Sequence, residues 1–584
     1  MKFLQKYICE VICVINLIFI APNHDFSIWW QKPVMNDAMG YYSYLPAVFV
    51  YQDLTYNFIY EPWKKHYPEI AHEEPKDMFA VKFKGKQVNK YPPGVAYFQS
   101  PFFILGHLTA KITGKDADGY SNIYMYFMCI GAIFWQYVFL RILSKIFEFY
   151  RINKTSFVIT SLLLCFGTNI WFYTQHFGTY SHLYTLLSIS LFYYGGIRFF
   201  SAETENNKAY YFAIMLIGFS LALITRNINV IALLLLPCMG FNWRKIADYL
   251  TVLKNKKTIA GLLVSGILIF SMFLLWKLQS GYWFVDSYPD EHFYWSKPQI
   301  FKSLFSAHKG WFTYTPIALV GLFGLRYASK KLALNFLLVL TLVIYITSSW
   351  WCWDYGTAFS MRAYIDWYLF VAIGLGFLFH HIQQKPNLFY SILIICTLLS
   401  AVNLLQSSQF MRGIISGHSQ GIEYTLRNFF RLRPKMQYII SKNVTEETVR
   451  NENNFNGNSQ QPFTEVSEAS PFSKGIKMNM LKEKNGKIFN HVRFGAEVNA
   501  EDLMNDAFLC ASITNAKDST LYWHQVGINN FLLKGKSEVI ETGFIIPPNL
   551  PSDALINVFF WEPKGNSRYQ IDNMYLEFLV AGIE

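Results

Sequence analysis

Apolar and polar residues alternate along this chain in long blocks. The first apolar block covers residues 7–22, and later ones lie near 120–141, 156–172, 180–199, 209–224, 228–241, 258–278, 313–326, 332–349, 364–381 and 388–406. Each block has close to the ~20 residues that a helix needs to cross the hydrocarbon of a bilayer. The pattern predicts about eleven transmembrane helices within residues 1–406. The two short blocks around Arg226 are expected to form a helical hairpin or a broken pair.

Basic residues mark one side of the membrane. They fall in alternate connections: Arg141, Lys145, Arg151 and Lys154; Arg198 and Lys208; Arg244, Lys245, Lys254, Lys256 and Lys257; Arg326, Lys330 and Lys331; Lys385. Cytoplasmic loops carry such an excess of Lys and Arg. The alternation predicts a multi-pass protein of the inner (plasma) membrane, with a cytoplasmic N-terminus and an extracytoplasmic C-terminal domain.

Two apolar stretches need separate treatment. The first block resembles a signal peptide, but no small-residue cleavage site follows it, so we expect an uncleaved first span. The stretch 95–113 is left out of the span count, because counting it would reverse the charge alternation that follows. It also holds Gln99, Pro101 and His107, and we expect a helix lying in the outer interface.

The composition agrees with a membrane protein and argues against nucleic acid as a partner. Only 15% of residues are charged and 52% are hydrophobic, whereas soluble proteins carry about 25% charged residues. The net charge of +12 comes mainly from the loops between apolar blocks. Most of the eight cysteines lie inside apolar blocks at spacings that do not match a metal site.

Candidate chemistry lies in the loops assigned to the outer side. Residues 23–119 form a loop too long to be a simple connector, and it contains Asp37 and Lys90. Considered alone, Asp37 fits a helix N-cap, and Lys90 fits an ordinary lysine exposed to water. Arg226 and Arg362 each stand alone at an outer boundary. They fit either anchors to lipid phosphates or ligands of a lipid-linked phosphate.

The order of these features resembles the GT-C superfamily of membrane glycosyltransferases. It resembles especially the branch of protein O-mannosyltransferases and bacterial lipid A aminoarabinose transferases. The segments that carry the resemblance are 36–42 (NDAMGYY), 90–94 (KYPPG), 310–316 (GWFTYTP) and 350–362. It covers residues 1–406. Two departures are that Ala38 replaces the second acid of a common Asp-Glu pair, and that Tyr91 separates Lys90 from the prolines.

This resemblance implies an inverting glycosyltransferase. It would move a sugar, a hexose or pentose, from a polyprenyl-phosphate carrier to a hydroxyl of a lipid, glycan or protein acceptor at the outer membrane face. Asp37 would accept the proton of the acceptor hydroxyl. The cations expected to bind the donor phosphate are Lys90, Arg226 and Arg362, followed by His308 and Lys309. We expect no cofactor and no required metal.

Past the last apolar block the chain becomes polar. Residues 407–470 are expected to form a connector and flexible linker, rich in Asn, Gln and Gly over 451–461. Residues 471–584 contain strand-like runs at 489–498, 507–514, 520–529, 537–546, 554–561 and 568–580. Their alternation predicts an antiparallel, jelly-roll-like β-sandwich outside the cytoplasm. Sugar binding through Trp523, Trp561 or Tyr569, and a role as a lid or protein-docking domain, both fit this part.

Two other functions compete with this interpretation. A polysaccharide polymerase or ligase that uses lipid-diphosphate glycans would place its key Arg and His residues in a late outer loop. A transporter or flippase would have ionisable residues near the bilayer midplane, and often internal repeats. The centres of the apolar blocks are nearly free of charge, although Asp366 lies close to the start of one.

Overall fold

The computed structural model describes most of the 584 residues. The described ranges are 2–24, 26, 31–70, 74–289, 291–412, 414–415, 422–432, 449–453, 472–473, 475–480, 483–484, 487–500, 507–528, 537–547, 550–562 and 569–579. The chain divides into two compact units, Met1–Ser408 with Ser416–Arg427, and Gln409–Ile415 with Asn428–Glu584.

The first unit is built from helices. In chain order they are α1 (Lys2–Asn23), α2 (Asp37–Phe49), α3 (Tyr60–His66), α4 (Gly94–Ile112), α5 (Asn122–Phe149), α6 (Lys154–Phe166), α7 (Ile170–His176), α8 (Ser181–Ser201), α9 (Glu205–Thr225), α10 (Leu236–Met239), α11 (Ile246–Leu250), α12 (Lys256–Ser280), α13 (Ile300–Phe305), α14 (Trp311–Tyr314), α15 (Pro316–Gly324), α16 (Lys330–Ser349), α17 (Tyr368–Ile382) and α18 (Pro386–Met411). A further helix, α19 (Ile422–Asn428), follows near the end of this unit.

The membrane character of this unit is confirmed, but the count of eleven spans is not. Among the described residues, seven helices are long and apolar enough to cross a membrane, or up to nine if each bent pair is one span. The block at 180–199 does form α8, but its serines, tyrosines and glycines lower its mean hydropathy. The block at 228–241 is mostly a 3-10 helix, Asn227–Leu235. The block at 313–326 breaks at Pro316 into the short α14 and α15.

The first long loop is an ordered part of this unit. Nearly all of α2 is buried. A two-stranded hairpin, β1 (Ala80–Phe83) and β2 (Lys86–Asn89), leads into α4. Its turn residues Lys84 and Gly85 both have positive φ, as a tight hairpin turn requires. The stretch left out of the span count forms α4, and its placement in the outer interface stays a prediction.

The second unit is an antiparallel β-sandwich, which confirms the predicted fold class. One sheet has the order β10 (Ser537–Ile545), β7 (His491–Ala500), β12 (Tyr569–Leu579), β3 (Val449–Asn453). The other has the order β4 (Ile476–Asn479), β11 (Leu555–Trp561), β8 (Phe508–Thr514), β9 (Thr520–Gly527). A small pair, β5 (Glu483–Lys484) and β6 (Lys487–Ile488), lies between β4 and β7 in sequence.

Both large sheets contribute to one apolar core. Phe494 and Leu576 from the first sheet and Leu509 and Ile556 from the second are fully buried in it. The strand β3 was not predicted, since it lies within the range expected to be a connector. Residues 454–461 of the expected linker, and Arg568 at the start of the last predicted strand, lie outside the described residues.

Candidate functional site

A cavity of about 650 Å³ opens within the helical unit. Its wall is made by the start of α2, the residues before α4, the residues that follow α9, the loop after α12 and the loop after α16. The charged side chains on this wall are Asp37, Lys90, Arg226, Glu291 and Arg362. Four of the six residues predicted to form the site therefore meet at one cavity, although they come from four separate parts of the chain.

Asp37 and Arg362 form the first ion pair of the cavity. Nη2 of Arg362 donates to Oδ2 of Asp37 over 2.6 Å, and the Tyr91 hydroxyl donates to Oδ1 over 2.8 Å. The Arg362 side chain is 7% exposed and that of Asp37 is 33% exposed. Burial raises the pKa of Asp37, but Arg362 and the Tyr91 hydroxyl together outweigh it and hold this pKa below its ordinary value. Asp37 is therefore ionised at neutral pH.

Local packing explains why Tyr91 reaches Asp37. Asn36, not Asp37, occupies the N-cap position of α2, and its side chain makes no cap hydrogen bond. Asp37 is the first residue of the helix, and its carboxylate bonds to Tyr91 and Arg362. The buried Asn89 side chain donates to the Gly40 carbonyl over 2.7 Å and accepts from the Tyr91 backbone N–H over 3.0 Å. A Cβ on Gly40 would lie 2.2 Å from the Tyr91 ring, so the close contact of α2 with this turn requires glycine.

Arg226 belongs to a second, deeper pair. Its Nη1 lies 2.5 Å from Oδ2 of Asp366, and Oδ1 of Asp366 lies 2.8 Å from Nδ1 of His182. The Asp366 side chain is 1% exposed and that of Arg226 is 16% exposed. Because a buried charge without a partner is costly, Asp366 holds the guanidinium at the cavity wall.

Lys90 and Glu291 form a third and looser pair. The Lys90 ammonium lies 3.4 Å from Oε1 of Glu291, and the Trp351 indole N–H donates to Oε2 over 2.9 Å. About a fifth of each charged side chain is exposed, 20% and 18%. This contact is the longest of the three pairs, so the Lys90 ammonium can exchange its carboxylate partner for another anion more easily than the two arginines can.

Tyrosine rings surround the two guanidinium groups. The Arg362 group lies 4.6 Å from the centre of the Tyr180 ring and 5.6 Å from that of Tyr355. Arg226 lies 6.0 Å from the same Tyr355 ring. Such rings attract cations and exclude water, which strengthens electrostatic interactions at the wall.

The structure does not bring His308 and Lys309 to this wall. Lys309 is fully buried and its ammonium donates to the Ala358 carbonyl. Burial lowers its pKa to about 7, with Asp354 opposing the shift. Nε2 of His308 lies 3.8 Å from Oδ2 of Asp354. Both residues contact the loop after α16, and neither lines the cavity.

Several contributing residues were not singled out by the sequence. Glu291 was given no role from the sequence, and Asp366 was noted only for its place near the start of a span. His182 lies one residue into α8 and gave no signal. A carboxylate that pairs with an outer arginine would identify a site residue, but these partners are far apart in the sequence, so only the fold shows that they are neighbours.

One group of possible metal ligands occurs among the described residues, away from this cavity. It consists of His66, Asp116 and Asp118. Asp116 pairs with Lys65 over 2.7 Å, and Asp118 with His66 over 2.6 Å. The carboxylates thus already have partners, and the expectation that no metal is required stays a prediction.

Comparisons with known proteins give weak likenesses in structure alone. No known family model and no curated protein matches the sequence. ArnT from Cupriavidus metallidurans in the apo state matches with a TM-score of 0.42 and 12% identity, over 70% of this chain and 64% of its own. ArnT bound to undecaprenyl phosphate matches with a TM-score of 0.43 and 11% identity, over 71% and 67%. The arabinosyltransferase EmbB from Mycobacterium smegmatis gives 0.31 and 10%, over 82% and 59%.

All three TM-scores are below 0.5, so these likenesses add no argument for a superfamily, and the resemblance to the GT-C superfamily stays a prediction from the sequence. The match spans less than two thirds of the apo ArnT chain, 64%. The roles proposed for residues of this chain rest on its own geometry.

Proposed function

We propose that this protein is an inverting membrane glycosyltransferase that takes its sugar from a polyprenyl-phosphate carrier. The observation that carries the proposal is the convergence of three cations and a carboxylate, Lys90, Arg226, Arg362 and Asp37, on one cavity. Charge this close to the membrane boundary is costly unless it is paired or functional. Here the pairs face an open volume, which is the arrangement that an anionic ligand needs.

The three cations suit the phosphate of the donor. A guanidinium donates two parallel hydrogen bonds to a phosphate, and an ammonium adds a mobile point charge. During transfer the bond between the anomeric carbon and the phosphate oxygen breaks, and negative charge grows on the departing polyprenyl phosphate. Arg226 and Arg362 are held in place before the reaction by Asp366 and Asp37, so little reorganisation is needed as that charge develops.

Asp37 suits the acceptor side of the same reaction. The acceptor hydroxyl oxygen attacks the anomeric carbon from the face opposite the phosphate, and its proton passes to the Asp37 carboxylate. A single displacement inverts the anomeric centre. The acceptor is a hydroxyl of a lipid, glycan or protein, and the reaction lies on the outer face of the inner membrane.

The proposal extends to the whole chain. Residues 1–406 form the catalytic part, with the loop 23–119 contributing Asp37 and Lys90. Residues 407–470 connect it to the extracytoplasmic domain of residues 471–584. The N-terminus lies in the cytoplasm.

The test uses the full chain in lipid nanodiscs with a radiolabelled sugar on undecaprenyl phosphate and cell-envelope fractions as acceptors. We expect label to move from the lipid to the acceptor fraction. Binding of tritiated undecaprenyl phosphate is measured in parallel. Arg362→Ala should weaken binding about tenfold or more, whereas Arg326→Ala, which removes an arginine that does not line the cavity, should leave it unchanged.

Two results would contradict the proposal. One is the absence of transfer from any lipid-phosphate sugar while reconstituted vesicles show solute uptake, which indicates a transporter. The other is transfer only from lipid-diphosphate glycans, which indicates a polymerase or ligase.

A further inference from the structure

We infer that the β-sandwich binds a neutral oligosaccharide on the outward face of the sheet formed by β4, β11, β8 and β9. This face carries five clustered aromatic residues, Phe472, Phe508, Trp523, Phe559 and Trp561, here called the aromatic face. A hollow of about 340 Å³ lies on it. All residues that line this hollow belong to the second unit, and its function does not depend on the proposed transferase activity.

Strand parity places these rings on the outside of the sandwich. In β11 the alternate residues Ile556, Val558 and Phe560 enter the core shared with the other sheet. Phe559 and Trp561 lie at the intervening positions and therefore face outward. In β9 the residues Tyr522 and Val526 pack against the core, so Trp523 also faces outward.

The rings are arranged as a preformed surface. Phe472 stacks on Trp561 with an interplanar angle of 10° and ring centres 6.0 Å apart. Trp523 meets Phe559 at 5.6 Å and Trp561 at 6.2 Å. The Trp523 indole N–H donates to Oε1 of Gln525 over 2.9 Å, which fixes the orientation of its ring. Phe472 is nevertheless 49% exposed and Trp523 42% exposed.

Polar groups lie beside the rings in the same hollow. Asn557, Ser512 and Trp523 are neighbours across three strands, since Asn557 pairs with Ser512 and Ser512 with Trp523. Asn557 and Ser512 also line the hollow. A sugar offers both matching surfaces, because the C–H groups on one side of its ring stack on an aromatic face while its hydroxyls pair with amide and hydroxyl groups. A concave aromatic site with a few placed polar groups is the usual form of a small-ligand site.

The uncharged lining of the hollow favours a neutral glycan over a membrane surface as the ligand. The hollow is lined by no charged side chain among the described residues. The nearby Lys477 lies 3.4 Å from Asp518 and is thus paired. Attraction to anionic lipid needs a cluster of Lys and Arg beside the apolar surface, and the same holds for an acidic glycan. The aromatic face has no such cluster in the part of the chain that the structure describes.

The test presents full-length protein in nanodiscs to an array of immobilised hexasaccharides. The neutral set contains oligomers of glucose, mannose, galactose and N-acetylglucosamine, and the acidic set contains polygalacturonate and hyaluronan fragments. Vesicles of phosphatidylglycerol and phosphatidylethanolamine serve as the lipid probe. The variants are Trp523→Ala, Trp523→Phe and Asn557→Ala. Val539→Ala is the matched control, since Val539 is an exposed apolar residue, 47%, on the other sheet.

We expect at least one neutral hexasaccharide to be retained by the wild type. Trp523→Ala and Asn557→Ala should each reduce its affinity on the order of tenfold, with Trp523→Phe intermediate and Val539→Ala unchanged. Arg362→Ala should keep this binding, which separates it from donor binding. Retention of no neutral glycan overturns the inference, as does retention of acidic glycans or vesicles alone. Equal glycan affinity of Trp523→Ala, Asn557→Ala and the wild type also overturns it.

Discussion

Asp37 and Arg362 are 325 residues apart in the chain, and their side chains meet at 2.6 Å on the wall of the cavity. The same contact sets two properties of the site. It keeps the carboxylate ionised, and it holds the guanidinium facing the space that the donor phosphate would occupy. An incoming phosphate would compete with Asp37 for Arg362, which couples donor binding to the freeing of the base.

Replacing Asp37 tests its role as the base. Asp37→Asn keeps the shape of the side chain but cannot accept a proton, so transfer should fall about 10²- to 10⁴-fold. Donor binding should be no weaker than in the wild type, because the variant no longer competes with the phosphate for Arg362. The measurement is turnover with radiolabelled donor. Asp53→Asn is the control, because the Asp53 carboxylate accepts local hydrogen bonds, from Thr55 and Asn57, and does not line the cavity. Equal turnover of Asp37→Asn and the wild type would remove Asp37 from the mechanism.

The pH profile tests the hydrogen bond from Tyr91. This bond stabilises the charged form of Asp37 and helps to lower its pKa, so its removal raises that pKa. Since only the ionised carboxylate accepts a proton, the acidic limb of the rate profile should move toward neutral pH in Tyr91→Phe, by about one pH unit. Tyr44→Phe, which removes a bond to the Tyr91 backbone carbonyl instead, should leave the limb in place. A limb that does not move in Tyr91→Phe would show that another group titrates.

The buried pair of Arg226 and Asp366 predicts a recovery of stability in a double variant. Asp366→Asn leaves Arg226 without its anionic partner and should destabilise the helical unit by about 3 kcal/mol or more. The variant Arg226→Gln with Asp366→Asn removes both charges and should regain much of that loss, measured as a thermal midpoint in detergent. Donor affinity should stay low in the double variant. Additive losses in stability would show that the two residues do not interact.

Glu291 is expected to compete with the donor for Lys90. Their contact of 3.4 Å between partly exposed side chains contributes little to stability. Glu291→Gln should therefore strengthen undecaprenyl phosphate binding about two- to fivefold, because the Lys90 ammonium loses its competing anion. Glu148→Gln removes the partner of an exposed lysine, Lys145, and serves as the control. Weaker donor binding in Glu291→Gln would show that Glu291 positions Lys90 rather than competing for it.

A single methyl group at Gly40 should disturb the site without changing its charges. The Cβ of Gly40→Ala would lie 2.2 Å from the Tyr91 ring and 2.8 Å from Phe79. Forcing an extra carbon into such a contact costs about 1–3 kcal/mol, and moving Tyr91 weakens its bond to Asp37. We expect lower turnover and a lower thermal midpoint. Gly266→Ala, where an added Cβ meets nothing within 4 Å, should leave turnover unchanged.

The β-strands were the most predictable elements. The runs expected at 507–514 and 554–561 are found as Phe508–Thr514 and Leu555–Trp561. Alternation along a strand is a local property, so it shows directly in the sequence. The strand β3 was not predicted because its five mostly polar residues show no alternation of apolar and polar positions. Its partner β12 lies more than a hundred residues later in the chain.

The helical part shows the limit of local patterns. Hydropathy located the apolar helices, but the count of eleven spans is not confirmed, because Pro316 and the 3-10 segment after Arg226 break two of the blocks into shorter pieces. Mean hydropathy over a window depends only on residue types, so it does not show where the helix is interrupted.

The sequence by itself determined the class of this protein and the residues worth testing. Apolar blocks, charge alternation and lone cations at membrane boundaries reflect the free energy of transferring each side chain from water to lipid. That free energy depends on the residue type, so it can be evaluated from the sequence. Only the tertiary structure decided the pairing. It paired Arg362 with Asp37, Arg226 with Asp366 and Lys90 with Glu291, and it left His308 and Lys309 out of the cavity lining. Those contacts depend on distances of a few ångströms between segments far apart in the chain, which local propensity does not encode.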